Sequence, residues 1–90
     1  MKWTQSRFGE VKVTLYTKPN CPLCDKALEQ IELARREIGF ELESINILED
    51  EEIYFRYRHE IPVVRVGDEE VFRHRLTSEA LVDRLRKGAS

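Results

Sequence analysis

Cys21-Pro22-Leu23-Cys24 places two thiols three positions apart, a spacing at which the sulfurs can alternate between dithiol and disulfide and so store two electrons. Their context decides whether that chemistry is accessible. Ahead of the pair, Val11, Val13 and Leu15 alternate with Lys12 and Thr14, the two-residue period of a strand running to Thr17. Lys18-Pro19-Asn20 breaks it. Beyond the pair, Cys24, Ala27/Leu28, Ile31, Ala34 and Ile38 recur every three or four positions, which is one apolar face of a helix. A C-x-x-C at a strand-to-helix junction reads as redox-active. Pro22 suits the first helical position, where its missing N–H costs nothing and its φ is already helical, so Cys21 becomes the N-cap. Side chains three apart within a helix have Cβ atoms about 5–6 Å apart, whereas a disulfide wants about 3.5–4.5 Å. An N-cap lies outside helical geometry and can close that gap.

The helix start also acts on the sulfur. Its unpaired N–H groups and positive dipole end favour Cys21 as thiolate, and Lys18 is near enough in sequence to add a positive charge. Lowering a thiol pKa from about 8.5 to about 5.5 would raise the thiolate fraction at pH 7 about 30-fold. Intrinsic nucleophilicity would fall roughly 20-fold. Attack gains almost nothing and departure gains a great deal, so Cys21 is expected to attack and Cys24, on the apolar face, to resolve the mixed disulfide. Other uses of the thiols compete. A structural disulfide would close too small a loop to constrain the unfolded chain much. Cys21, Cys24, His59 and His74 number four zinc ligands, but the histidines lie 15 apart, outside the usual finger spacings. Two cysteines leave only a cluster shared between two chains. No metal ligand is assigned, and a metal- or iron–sulfur-binding module on the same cysteines stands as the alternative. His59 and His74 themselves read as surface residues beside arginines.

The remaining pattern supplies the scaffold. Gly39 follows the last periodic position and suits a left-handed helix close. Phe40–Ile47 reads as a second strand. Glu49, Asp50, Glu51 and Glu52 suit the positive end of a short helix from about Asp50 to Arg58 that buries Ile53 and Tyr57. Pro62 opens a third strand, Val63–Val66, which Gly67-Asp68 turns into a fourth, Glu70–Arg73. Thr77 caps a last helix, with Leu76 and Leu81 as a hydrophobic staple and Leu85 continuing the face. The order β-α-β-α-β-β-α is that of an α/β domain. Strands joined through a helix should lie parallel with a right-handed crossover, and those joined by a tight turn antiparallel. A four-stranded mixed sheet flanked by helices follows. Residues 1–10 read as an N-terminal extension whose Trp3 and Phe8 pack on the domain or form a loose lead-in; residues 11–88 read as the domain.

Ninety residues suffice for one small domain. Fifteen Lys+Arg against 17 Asp+Glu give a net charge of −2, which implies no general affinity for nucleic acid or anionic membranes. No uncharged apolar run approaches the roughly 18 residues of a membrane span, and Met1–Glu10 lacks the apolar core of a signal peptide. Two cysteines cannot form a dense disulfide framework. The expectation is a cytoplasmic monomer with thiols kept reduced.

Tyr16-Thr17-Lys18-Pro19-Asn20-Cys21-Pro22-Leu23-Cys24, followed about forty residues later by Ile61-Pro62-Val63-Val64, resembles a glutaredoxin of the thioredoxin superfamily, over roughly Val11 to Lys87. Val66-Gly67-Asp68-Glu69-Glu70-Val71-Phe72-Arg73-His74-Arg75-Leu76 is similar to a compact bacterial-type glutaredoxin-like group. The resemblance implies the thioredoxin fold and thiol–disulfide oxidoreductase activity at Cys21 and Cys24. It implies a cis Pro62 facing the cysteines, and an Ile61 backbone that pairs with an extended substrate chain. Lys18, Pro22, Leu23, Ile61 and Pro62 become the substrate-binding candidates. No bound cofactor is implied; the partners are a disulfide-containing protein or small molecule and a reductant. Three departures bear on the reductant. Leu23 stands where glutathione-using members have tyrosine, Phe72-Arg73-His74 where they have a Gly-Gly pair that cradles a glutathione carboxylate, and Glu60-Ile61-Pro62 where Thr-Val-Pro is usual. Lys18 remains as one expected carboxylate contact. Arg73 and Arg75 either replace the lost ones through guanidinium forks or form a solvated strand end. Against plain thioredoxin, Val11–Thr17 holds no buried carboxylate and Asn20 replaces a tryptophan. Thr17-Lys18-Pro19-Asn20-Cys21 is also similar to redoxins fed by thioredoxin reductase. Glutathione and a reductase-type donor both stay open.

Overall fold

The computed structural model describes residues 11–88, so the reading of residues 1–10, with Trp3 and Phe8, lies outside the described residues. The elements are β1 (Lys12–Thr17), α1 (Pro22–Glu37), β2 (Glu41–Asn46), a 3-10 turn (Ile47–Glu49), α2 (Glu51–Tyr57), β3 (Val63–Val66), β4 (Glu69–Arg73) and α3 (Ser78–Gly88). The sheet order is β2-β1-β3-β4. β1 and β2 run parallel, with Val13 opposite Leu42 and Tyr16 opposite Ile45. β3 is antiparallel to both β1 and β4. This is the mixed four-stranded sheet expected from the element order.

Successive strand residues face opposite sides, which divides the interior in two. Val13, Leu15 and Val64 meet Ala27, Ile31 and Ala34 of α1 and Leu81, Val82 and Leu85 of α3. On the other face Tyr16 and Val63 meet Ile47 and Tyr57. Tyr57 stacks on Tyr16 with ring centroids 4.6 Å apart, and this ring takes the centre of the contact. Ile53, expected to be buried, is only half-buried at its side. A seven-residue helix offers one turn's worth of buried face, and the larger aromatic fills it.

Gly39 does not close α1. Ile38 leaves the helix in extended geometry (φ −131°, ψ 117°), its N–H still bonded to the Ala34 carbonyl at 2.9 Å. The chain must turn at once toward the sheet because Ile38 and Phe40 on either side of the glycine are both buried. The Arg35 guanidinium donates to the Phe40 carbonyl at 3.2 Å and holds that exit. Ile47 ends outside β2, buried in a 3-10 turn whose second N–H is capped by the Asn46 side chain at 2.9 Å.

The β3–β4 loop is Gly67-Asp68, with Gly67 at φ 62° in the first loop position, where a two-residue hairpin calls for glycine. Val64 pairs with Phe72 but Arg65 pairs with Glu70, so Val71 is an extra residue that bulges β4. The bulge lets Val71 and Phe72 both pack on the α1–α3 side. Thr77 caps α3 as expected, its hydroxyl accepting the Ala80 N–H at 3.1 Å, and Leu76 packs on the core that contains Leu81. Among the described residues no helix is long and apolar enough to cross a membrane.

Candidate active site

β1 ends at Thr17, and the chain reverses through Lys18-Pro19-Asn20 into α1. Asn20 takes φ 59°, a left-handed conformation that asparagine tolerates better than most residues. That turn sets Cys21 as the N-cap, in extended geometry at φ −122° and ψ 99°, with Pro22 in the first helical turn. The Cys21 carbonyl accepts the Asp25 N–H at 3.0 Å, and the Cys21 sulfur accepts the Cys24 N–H at 3.2 Å. A sulfur therefore does the work that a serine or aspartate oxygen does at an ordinary N-cap.

Both cysteines are free thiols, but they differ in access. Cys21 is half-buried and Cys24 is 2% exposed. Burial pushes the Cys24 thiol pKa above its ordinary value, and the neighbouring Cys21 sulfur adds to that rise. The Thr17 hydroxyl and the Lys18 backbone N–H oppose it, because both donate toward the Cys24 sulfur and favour its ionised form. Lys18 thus reaches the site through its backbone, and its exposed side chain has no ion-pair partner among the described residues.

The sheet brings the second expected segment to the same end. Val63 pairs with Tyr16 near the C-terminal end of β1, so the residues entering β3 lie at the edge from which the cysteine loop departs. Pro62 is buried there and the Ile61–Pro62 peptide bond is cis. The Ile61 N–H already donates to the Tyr57 carbonyl at 3.1 Å. Leu23 stands 45% exposed on α1, and Pro22 is exposed beside it.

Arg73 and Arg75 part company. Arg73 is held by Glu60 at 3.0 Å and by Glu70. Arg75 has no ion-pair partner among the described residues. His74, at φ 66°, donates its N–H to the Pro62 carbonyl at 2.7 Å and places its ring 3.6 Å from Glu60. Nothing in the sequence pattern marked this clasp between the ends of β4 and the Pro62 segment; only the hairpin register brings them together. Among the described residues no three His, Cys, Asp or Glu side chains form a group able to hold a metal ion, so Cys21, Cys24, His59 and His74 do not converge as a zinc site would.

Comparison with known proteins agrees with this fold. A family model described as a glutaredoxin-like domain (DUF836) matches residues 12–86. A thioredoxin of Methanocaldococcus jannaschii is 31% identical over 82 residues, which is 88% of this chain and 96% of that protein. The solution structure of protein Ne2328 from Nitrosomonas europaea superposes with a TM-score of 0.72 at 26% identity, covering 83% of this chain and 91% of that one. A thioredoxin structure from Halobacterium salinarum superposes with a TM-score of 0.70 at 15% identity, over 91% of this chain and 77% of that one, and bears on the fold alone. The fold is that of thioredoxin. Since the family match runs from the first residue of β1 through the cysteine pair and Pro62 into α3, the chain belongs to the glutaredoxin-like (DUF836) domain family of the thioredoxin superfamily.

Proposed function

We propose that the protein is a thiol–disulfide oxidoreductase that cycles Cys21 and Cys24 between dithiol and disulfide. Family and fold support thiol–disulfide oxidoreductase-like function in general. One observation carries the specific roles: a half-buried sulfur at the start of α1 receives the N–H of Cys24, whose own thiol is buried directly behind it. The Cys21 thiolate attacks one sulfur of the substrate disulfide. That bond breaks, a mixed disulfide forms, and the departing thiolate takes a proton. Cys24 then loses its proton and attacks the Cys21 sulfur, releasing the second substrate thiolate. The substrate gains two electrons and the protein pair loses them. An external dithiol, or two monothiols, reverses the oxidation. Burial that keeps Cys24 protonated suits this order, since it leaves Cys21 as the accessible attacker and delays the resolving thiol until capture.

No bound cofactor takes part, and the cycle fits a monomer in a reducing compartment such as the cytoplasm. The substrate-binding surface is Leu23, Pro22, Pro62 and the Ile61 carbonyl, with the Lys18 side chain at its edge. A reductase-type donor is favoured over glutathione, because Phe72-Arg73-His74 replaces the glycine pair and Arg73 is tied to Glu60 and Glu70. The test is reduction of a small neutral disulfide, supplied in turn with glutathione and with thioredoxin reductase. Cys21→Ser should abolish turnover and Cys24→Ser should accumulate a mixed disulfide by mass spectrometry. Full activity without Cys21 rejects the reading.

A further inference from the structure

A groove of about 790 Å³ opens between the first turns of α1, the end of β4 and the start of α3. Leu23 lies in its wall, two residues along the helix from Cys21. Its apolar lining comes from Ala27, Phe72, Leu76 and Ala80. Leu23, Lys26, Ala27, Glu29 and Gln30 form the α1 side, so the groove follows that helix over seven steps from Leu23 to Gln30, or about 10 Å at 1.5 Å per residue. That length matches about three residues of extended chain.

The charged side chains lining this groove are mostly basic, although Arg36 outside it also lacks a carboxylate partner among the described residues. Lys12, Arg35, Arg73, Arg84, Arg86 and Lys87 all have carboxylate partners, and Arg56 and Arg58 lie over aromatic rings. Lys26 and Arg75, both lining the groove, have no carboxylate partner among the described residues, and neither has Lys18 next to the cysteine loop. His74, its ring 3.6 Å from Glu60, also lines the groove, whose one carboxylate is Glu29. Two of the N–H groups at the start of α3 are already taken by side chains of this protein. Gln30 accepts the Ser78 N–H at 2.8 Å and Thr77 accepts the Ala80 N–H at 3.1 Å, so the chain's own oxygens already cap it.

We propose that this groove selects the substrate: it receives the polypeptide flanking a target cysteine, an apolar residue against Phe72 and Leu76 and an acidic residue within three positions of the cysteine, held by Lys26 and Arg75. The inference rests on the oxidoreductase reading and names its substrate class. A polypeptide fits better than a small thiol because the groove joins an apolar interior to a basic rim over several residues' length, and because Gln30 and Thr77 already occupy two N–H groups of the helix N-terminus that would hold a lone carboxylate.

The test compares mixed disulfides of short peptides with a small neutral thiol. One peptide carries leucine and aspartate on both sides of its cysteine, with aspartate at the third position; its twin carries lysine there. A neutral small disulfide and glutathione disulfide run beside them. The full-length protein should reduce the acidic peptide about fivefold faster than the basic one at low salt, the difference shrinking as salt rises. Lys26→Glu combined with Arg75→Glu should remove or reverse the preference, and Arg36→Glu, on α1 outside the groove, should leave it intact. Equal rates for both peptides, with the neutral disulfide still reduced, overturn the inference and spare the oxidoreductase reading. Glutathione disulfide reacting as fast as the acidic peptide also overturns it, by assigning the groove to a small thiol. Failure to reduce any disulfide removes the oxidoreductase reading itself.

Discussion

The amide N–H of Cys24 donates to the sulfur of Cys21 across 3.2 Å, so the backbone of the buried cysteine orients the accessible one. The two residues are coupled twice, once through that bond and once through the sulfur of Cys21 raising the pKa of the Cys24 thiol. What happens at one is therefore registered at the other.

In the proposed cycle Thr17 acts as a positioning residue for the resolving step. Its hydroxyl opposes the effect of burial on Cys24, and valine keeps its shape without the donor. Thr17→Val should slow resolution of a trapped mixed disulfide about fivefold at neutral pH, the equivalent of one hydrogen bond of about 1 kcal/mol. Formation of the mixed disulfide should be unaffected, and mildly alkaline pH should recover much of the lost rate. Quenched-flow mass spectrometry separates the two steps; identical resolution profiles across pH would deny Thr17 this role.

The buried Cys24 thiol also makes the reduced protein sensitive to base. Its folded pKa is raised, so above the ordinary thiol value of 9.0 the unfolded chain releases the proton while the folded one keeps it. Stability is thus intact below that pH and falls as pH climbs toward the folded value, by at most about 1.4 kcal/mol per pH unit. Urea titrations of reduced protein should show this slope, and Cys24→Ala should lack that part of it.

Asn20 holds the turn that delivers Cys21 to the helix start. At φ 59° a β-branched side chain clashes with the backbone, so Asn20→Val should cost about 1–2 kcal/mol, while Asn20→Gly stays near wild type. Denaturant midpoints measure both. Equal losses in the two variants would mean that the side-chain amide, rather than the backbone angle, is what matters there.

Gln30 ties α1 to the first N–H of α3, and its partner Ser78 is 48 residues away. Replacing the amide with methionine retains the length and removes the acceptor. Gln30→Met should destabilise by about 1 kcal/mol, in the range of a lost helix cap. Hydrogen exchange at the Ser78 amide should quicken more than at Leu81, whose N–H is bonded to the Thr77 carbonyl at 3.1 Å.

Local chemistry wrote the elements and the pair into the chain. Alternation in β1, the three-and-four spacing of α1, Pro22 after a capping Cys21, and Gly67 in a two-residue loop each depend on neighbours within one turn, and each is readable in the residues. Ile38, Val71, Ile47 and Ile53 departed from simple periodicity because sheet, bulge and stacked tyrosines set the direction of the chain there. The groove beside Leu23, the clasp of His74 on Pro62, the capture of Arg73 by Glu60 and the lack of a carboxylate partner for Arg75 among the described residues belong to no local pattern. They arise where the ends of β1, β3 and β4 meet, at separations no window of sequence spans. The sequence by itself determined that two thiols stand three positions apart at a helix start; the tertiary structure alone decided what surrounds them, because pairing distant strands is what brings those side chains to one edge.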